Sequence, residues 1–338
     1  MIIVGPGRKY LSGIAYYTWR LSQELNATPI LFRDMLPRFL FPGADRVDRV
    51  DTRIQYTDAT YLDWYNPVTW MKAIRKIRES DIFIIQWWTA SVAHMLLFLT
   101  LLSGRKYIVE THEILDPMEY ENPFLNAYSR IVKRILFNRA SAIVVHTNEK
   151  GPKVITIPLA VFDHYRKYNR VSGTFTVLFF GLIRKYKGVD TLIKAFDDLD
   201  NPDKELFIIG ENWDNIPIPI RHNIHYINRY VPDDDVDFYF SQADVLVLPY
   251  TRSSSSGVAA IAIHYGIPII ASDIDGLREQ LYDYEGVFWV TPEDTTQIVK
   301  HLETIASKPG IRYPVPHRLS WDSVRAKWMI LCESLKES

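Results

Sequence analysis

Two hydrophobic periods alternate along the chain from one end to the other. Short apolar runs at Ile2–Val4, Ile82–Trp87, Tyr107–Thr111, Phe175–Phe180, Leu206–Ile209, Val245–Leu248 and Ile267–Ala271 have the length of buried strands. Between most of them, apolar positions return every three or four residues, as in Val189, Leu192, Ile193, Phe196 and Leu199, the stripe of a helix that buries one face. The same reading predicts strands at Pro29–Phe32, Ile143–His146, Val154–Ile157 and His225–Ile227. It predicts helices at Ile14–Leu25, Pro67–Ile77, Ser91–Leu102, Phe124–Phe137, Val236–Ser241 and Trp321–Leu335. Strand alternating with helix implies an α/β chain with doubly wound parallel sheets. At 338 residues it is long for one core, so two domains are expected. They are placed at 1–160 and 173–315, with 316–338 as a terminal helix packing back toward the first domain. Pro158–Ser172 has no clear period and reads as the linker, and the stretch up to Asn66 reads as irregular and aromatic.

Composition narrows the function classes. Hydrophobic residues make up 47%, enough for two cores, and the formal net charge of -1 argues against a nucleic-acid protein. The single cysteine, Cys332, cannot close an internal disulfide and fits a reducing cytoplasm. The opening MIIVGPG has no basic n-region, and the longest apolar stretch, Ser91–Ser103, is interrupted by His94. It falls short of the roughly 20 residues of a spanning helix. A cytoplasmic protein, soluble or peripheral on the inner face of the membrane, is expected.

Candidate chemistry gathers where predicted strands end. The run Thr176–Phe180 stops at Gly181, and a basic loop with Arg184, Lys185 and Lys187 leads through Gly188 into a helix. Loops at the carboxyl ends of parallel strands line the ligand crevice of such sheets, and cations beside a helix start suit a phosphate. Ile2–Val4 leads into Gly5, Pro6 and Gly7 before a helix starting at Gly13, a phosphate-facing turn without the full GxGxxG spacing. Another predicted strand ends in His112 and Glu113, and Ser253–Gly257 opens a further helix with hydroxyls able to cap it. The string PDDDVD at Pro232–Asp237 precedes a helical pattern and reads as acidic N-capping rather than a metal motif. His146 reads as a packing residue.

Two stretches, FFGLIRKYKGVDTLIKAF at Phe179–Phe196 and ADVLVLPYTRSSSSGVAAIAIHYGIPIIASDIDGLRE at Ala243–Glu279, resemble the retaining family-four (group 1) glycosyltransferases. The similarity is strongest to a branch with FFGxIRPYKG and LPYxxxxxSGV motifs. RFLFPG at Arg38–Gly43, LDWYNPVTW at Leu62–Trp70 and QWW at Gln86–Trp88 fit the same branch, so the resemblance spans nearly the whole chain. It implies the GT-B fold, two Rossmann-like domains facing a central cleft. It also implies transfer of a hexose from a UDP- or GDP-linked donor to a glycan or lipid-linked acceptor, with no cofactor and no metal.

Residue by residue, the resemblance implies that Arg184 and Lys187 grip the donor diphosphate and that His112 faces the donor sugar. The helix start at Ser253, Ser255, Ser256, Gly257 and Val258 meets phosphates and sugar, with amides from Ser255 to Val258 open. Gly13, Gly181, Gly210, Tyr230 and Val231 line the rest of the donor site. The chain departs from the wider family where two glutamates separated by seven residues are usual: Ser253 and Ile261 stand there, and Glu279 is the candidate for the lost ribose contact. Leu182 follows the first-motif glycine where an arginine is usual, with Arg184 substituting. In the implied mechanism the acceptor hydroxyl attacks from the leaving-group side and passes its proton to a phosphate oxygen. Arg130, Lys133 and Arg134 beside apolar residues in the 124–137 helix suit peripheral contact with a membrane surface. A two-lobed sugar-binding protein and a sugar-nucleotide epimerase are the rival readings.

Overall fold

The computed structural model describes residues 1–7, 13–34, 53, 60–87, 92–112, 123–171, 173–253 and 255–337. The chain forms two compact units, Met1–Pro158 with Trp321–Ser338, and Leu159–Ser320. The motif at Arg38–Gly43, Trp88 and Glu113 lie outside the described residues.

The first unit is built on seven strands: β1 (Ile2–Pro6), β2 (Thr28–Asp34), β3 (Thr60–Asp63), β4 (Ile82–Trp87), β5 (Lys106–Thr111), β6 (Ala142–Val145) and β7 (Val154–Thr156). They pair in parallel in the order β3-β2-β1-β4-β5-β6-β7. A parallel sheet is covered on both faces, so its central strands are apolar throughout, and Ile2–Val4 and Ile82–Ile85 are buried. Its helices are α1 (Gly13–Glu24), α2 (Pro67–Ile77), α3 (Ala93–Ser103) and α4 (Pro123–Arg139). Helix α2 starts where the pattern predicts because Asn66 caps it, Oδ1 accepting from the Val68 amide at 3.1 Å, and proline takes the first turn. Strand β3 was not expected. Its four residues at the sheet edge leave Tyr61 exposed, so no apolar run marks it.

The second unit repeats the plan with β8 (Phe175–Phe180), β9 (Lys204–Ile209), β10 (Ile224–Ile227), β11 (Val245–Leu248), β12 (Ile269–Ser272) and β13 (Val287–Val290). The order is β10-β9-β8-β11-β12-β13, again all parallel. Helices α5 (Val189–Asp198), α6 (Asp233–Gln242), α7 (Gly257–Tyr265), α8 (Asp275–Leu281) and α9 (Thr295–Ala306) complete it. Strand β13 also escaped the sequence reading. The last helix, α10 (Trp321–Glu337), belongs to the first unit, packing on α1 and β4 with Trp321, Val324 and Trp328 buried.

In both sheets the chain reverses direction beside the first strand, between β1 and β4 and between β8 and β11. Such switch points open a crevice at the carboxyl ends of the strands.

The segment after Pro158 is no free linker: it lies along α6. The Arg166 amide donates to Asp237 Oδ1 at 2.9 Å, that of Tyr168 to Ser241 Oγ at 2.9 Å, and that of Val171 to Gln242 Oε1 at 2.8 Å. Side-chain acceptors satisfy its backbone, which is why it shows no apolar period. The acidic string at Pro232–Asp237 is also corrected in detail. Pro232 occupies the cap without a side-chain bond, and the acids fill the first turn, where they meet the positive end of the helix dipole.

Candidate functional site

In the second unit, β8 ends at Gly181 (φ 101°), and a one-turn 3-10 helix at Lys185–Lys187 leads to Gly188 (φ 63°). The loop is pressed onto the end of β11. A Cβ on Gly188 would stand 2.1 Å from the Pro249 carbonyl oxygen, and the Thr251 amide donates to Tyr186 O at 2.8 Å. A Cβ on Gly210 (φ 147°) would fall 1.9 Å from Gly181 O, so the ends of β8 and β9 are equally close. Bulkier residues would push these strand ends apart, and only glycine takes these backbone angles without strain.

This packing fixes Lys187. Its ammonium lies 3.6 Å from the Cβ position of Gly181 and 5.2 Å from the Tyr250 ring centre. Val258 Cγ2 stands 3.2 Å from the same Gly181 position, so Gly181, Lys187, Tyr250 and the start of α7 meet at the switch point. Ser256 caps α7, Oγ accepting from the Ala259 amide at 3.3 Å. Its own amide donates to Gln280 Oε1 at 2.8 Å, and Gln280 Nε2 donates back to its carbonyl at 2.9 Å. The expected run of open amides is therefore corrected at Ser256, whose amide is already bonded. Gly257 and Val258 supply first-turn amides that have no acceptor within the helix. Ser253 Oγ donates to the Ser255 carbonyl at 3.0 Å, shaping the turn before the cap.

Arg184 is placed differently from the sequence expectation of two equivalent cations. Its Nε sits 2.9 Å from Asp214 Oδ1, and its guanidinium lies 5.8 Å from the Trp213 ring centre. Asp214 also accepts from the Lys185 amide at 2.8 Å, so one carboxylate holds the loop and offsets the arginine. Half-buried Tyr230 and buried Val231 follow β10. Ile261 is buried in α7, and half-buried Glu279 precedes Gln280 on α8. Asp214, Tyr250 and Gln280 were missed in the sequence; only the tyrosine lay within a recognised motif.

In the first unit, exposed Gly13 opens α1. A buried polar cluster lies at the carboxyl ends of β4, β5 and β6. Gln86 pairs with Glu110 in register, and residues two apart on a strand share a face, so His112 stands above Glu110 and beside His146. Gln86 Nε2 donates to Glu110 Oε2 at 3.0 Å, and Gln86 Oε1 accepts from Thr18 Oγ1. His146 Nδ1 bonds Ile157 O at 2.9 Å, and its Nε2 bonds His112 Nδ1 at 3.2 Å. The Tyr17 ring meets both imidazoles edge-on, at 5.2 and 5.5 Å between ring centres.

Burial dominates the electrostatics. It pushes the Glu110 carboxyl up to about 8, against a smaller opposing pull from Gln86, and lowers His146 to about 4. His112 is lowered as well, by burial and then by His146. The His112 side chain is only 6% exposed, and its Nε2 is turned inward, 3.9 Å from Glu110 Oε2. The histidine expected to face a sugar has its Nε2 edge enclosed. His146, read as packing, is its direct partner. The E-x-H spacing at Glu110–His112 was the available signal, since it puts both side chains on one face of a strand.

The profile of the family described as "Glycosyl transferases group 1" matches residues 162–321. An uncharacterized glycosyltransferase of Haemophilus influenzae is 28% identical over 146 residues, 40% of this chain and 40% of the relative. The GDP-mannose:glycolipid 4-beta-D-mannosyltransferase of Xanthomonas campestris pv. campestris is 29% identical over 124 residues, 32% of this chain and 34% of the relative. The first such relatives are thus matched over about two fifths or less of their length, between 36% and 42%. Among solved structures, sucrose-phosphate synthase from Thermosynechococcus elongatus superposes with a TM-score of 0.70 at 14% identity, covering 99% of this chain and 98% of that one. The chain has the GT-B fold, and its second unit is similar in sequence to the family described as "Glycosyl transferases group 1".

Proposed function

We propose that this protein is a retaining hexosyltransferase. It moves a hexose from a UDP- or GDP-linked donor to a glycan or lipid-linked acceptor, with the donor on the second unit and the acceptor on the first. The observation that carries the reading is the meeting of the Lys187 ammonium, the backbone at Gly181 and the first-turn amides of α7 at the switch point between β8 and β11. Charge grows on the departing nucleoside diphosphate as the glycosidic bond breaks, and fixed donors aimed at it lower the barrier. Lys187, Gly257 and Val258 supply such donors, each charge-assisted bond contributing roughly 1.5 to 3 kcal/mol. The backbone at Gly210, Tyr230 and Val231 borders base and ribose, with Glu279 the ribose acceptor. Arg184 joins the phosphate once its guanidinium leaves Asp214, and Asp214 and Trp213 hold it ready until then. The acceptor hydroxyl attacks on the leaving-group side and its proton passes to a phosphate oxygen. His112 acts by shaping the carboxyl end of β5.

Support for a lipid-linked acceptor comes from the outer surface of α2, α3 and α4, which pack in sequence. Phe124 is 84% exposed, and Ile131, Ile135, Leu101, Leu102, Val68 and Met71 are exposed beside Arg130, Arg134, Lys72 and Arg75. Apolar groups among cations suit an anionic membrane surface. Among the described residues no helix is long and apolar enough to cross a membrane. The Xanthomonas relative, by its name, acts on a glycolipid.

The deciding experiment incubates the purified chain with labelled UDP- and GDP-hexoses and extracted membrane lipid, then reads product and anomeric configuration by NMR. Transfer with retention, lowered by orders of magnitude in a folded Lys187→Ala variant, is expected. Binding without transfer, an isomerised donor, or undiminished transfer by the variant overturns the proposal.

A further inference from the structure

A groove of about 520 Å³ lies in the first unit between the edge strand β3 and helix α2, away from the groups that the proposed transfer uses. We propose that it binds an acidic saccharide, the charged stretch of the acceptor glycan. As part of an acceptor site it rests on the reading of the first unit as the acceptor unit; the binding itself does not.

Charge is the first argument. Arg33, Lys72, Arg75 and Lys76 line the groove against one acid, Glu79. That acid is already held by Lys76, whose Nζ donates to Glu79 Oε2 at 2.6 Å. Lys72 and Arg75 have no ion-pair or hydrogen-bond partner among the described residues. Their charge is unanswered within the unit, and a cleft lined by one sign of charge concentrates the opposite one.

The groove is also built to stay in place. Arg33 is the extra residue where the pairing of β2 with β3 shifts between Phe32 and Asp34, and such a bulge re-aims a side chain. The buried Asp63 carboxylate clasps its guanidinium, Nε donating to Oδ1 at 2.8 Å and Nη2 to Oδ2. Asp63 is fixed in turn: its amide donates to Thr69 Oγ1 at 3.2 Å, and its carbonyl accepts from Trp70 Nε1 at 2.7 Å. A bidentate pair sets the plane of the guanidinium, and a cation held in place gives up little freedom on meeting a ligand.

Shape and the uncharged lining select a saccharide. The groove follows α2 from Val68 to Lys76, about 12 Å at 1.5 Å per residue, so its cations are spread along a chain of rings instead of converging on one phosphate. Its volume lies in the range of small-ligand sites. Between the cations stand the Tyr61 ring, 48% exposed, and the polar side chains of Thr60, Asn66 and Thr69. An aromatic face beside hydroxyl and amide groups matches sugar rings, whose faces are apolar and whose edges carry hydroxyls. Lys72 and Arg75 share their surface with exposed Val68 and Met71. The groove therefore suits the sugar end of an acceptor whose lipid end meets that surface.

The test uses no nucleotide sugar. The full chain is titrated by calorimetry with a hexuronate tetrasaccharide, a neutral hexose tetrasaccharide, inorganic phosphate and phosphatidylglycerol vesicles. Hexuronate binding about 10-fold tighter than that of the neutral chain, and weakened by salt, is expected. Lys72→Gln combined with Arg75→Gln should weaken it about 10-fold, and Tyr61→Ala about 5-fold. Should the variants fail to fold, carbodiimide coupling of hexuronate to the wild-type chain reads the site by mass spectrometry, with the amide expected on Lys72 or Lys76. No hexuronate binding, equal binding of the neutral chain, binding unchanged in folded variants, coupling only elsewhere, or uptake of phosphate or vesicles without hexuronate overturns the proposal. Hexose transfer to a neutral acceptor without hexuronate binding would remove this inference and leave the proposed function standing, and hexuronate binding without transfer would do the reverse.

Discussion

Substitution of Gly188 by alanine isolates the packing that places Lys187. The added methyl would begin 2.1 Å from the Pro249 carbonyl oxygen, whereas ordinary contact starts at 3.4 Å, so the loop or the end of β11 must move by more than 1 Å. Backbone strain at φ 63° adds about 1 to 2 kcal/mol, and parting the loop from β11 puts at risk the Thr251–Tyr186 bond, worth about 0.5 to 1.5 kcal/mol. A total of about 1.5 to 3.5 kcal/mol corresponds to a fall of roughly 3 to 14 °C in the melting temperature of a unit this size. Lys187 lies one residue away, and a displacement of about 1 Å at a catalytic group costs on the order of 100-fold in rate. Gly310→Ala is the internal control. It has φ 76°, yet its Cβ would meet nothing within 4 Å, so it should carry strain without displacement. Differential scanning fluorimetry and hexose-transfer rates read both variants. If Gly188→Ala melts no lower than Gly310→Ala, or transfers hexose at the wild-type rate, the Pro249 carbonyl does not set the loop.

Gln280→Leu removes both bonds to Ser256 and leaves a buried amide unsatisfied, at about 1 to 3 kcal/mol. The nucleotide-sugar KM should rise more than kcat falls, because the start of α7 loosens. A folded Gln280→Leu variant with wild-type kinetics would refute this. Glu110 is held protonated by burial, so its contribution to stability is fully present below about 4.5 and declines as pH rises to about 8. Denaturant midpoints for Glu110→Gln, which cannot ionise, should therefore gain on the wild type between those pH values, and parallel curves would count against the buried acid. Phe124→Ser and Ile131→Ser should weaken sedimentation with anionic liposomes several-fold and add to the effect of salt, whereas unchanged binding would move the lipid contact off α4.

Much of the architecture was legible because buried parallel strands and one-faced helices leave opposite periods. Pro67–Ile77, Ile82–Trp87, Phe175–Phe180 and Val245–Leu248 were read to the residue. What escaped had no such imprint. Strands β3 and β13 lie at sheet edges and are only partly buried, and the segment after Pro158 is held by hydrogen bonds from its backbone rather than by an apolar stripe.

The sequence alone determined the order of elements, the two parallel sheets and the basic loop that follows Gly181, since each depends on short-range periodicity or on a run of neighbouring residues. Only the tertiary structure separated the two cations of that loop, turning Lys187 toward Tyr250 and giving Arg184 to Asp214, thirty residues downstream. It likewise bonded Ser256 to Gln280 and set His112 beside His146. Those choices depend on which strand ends and helices become neighbours, and sheet order, unlike hydrophobic period, is not written in any local stretch of chain.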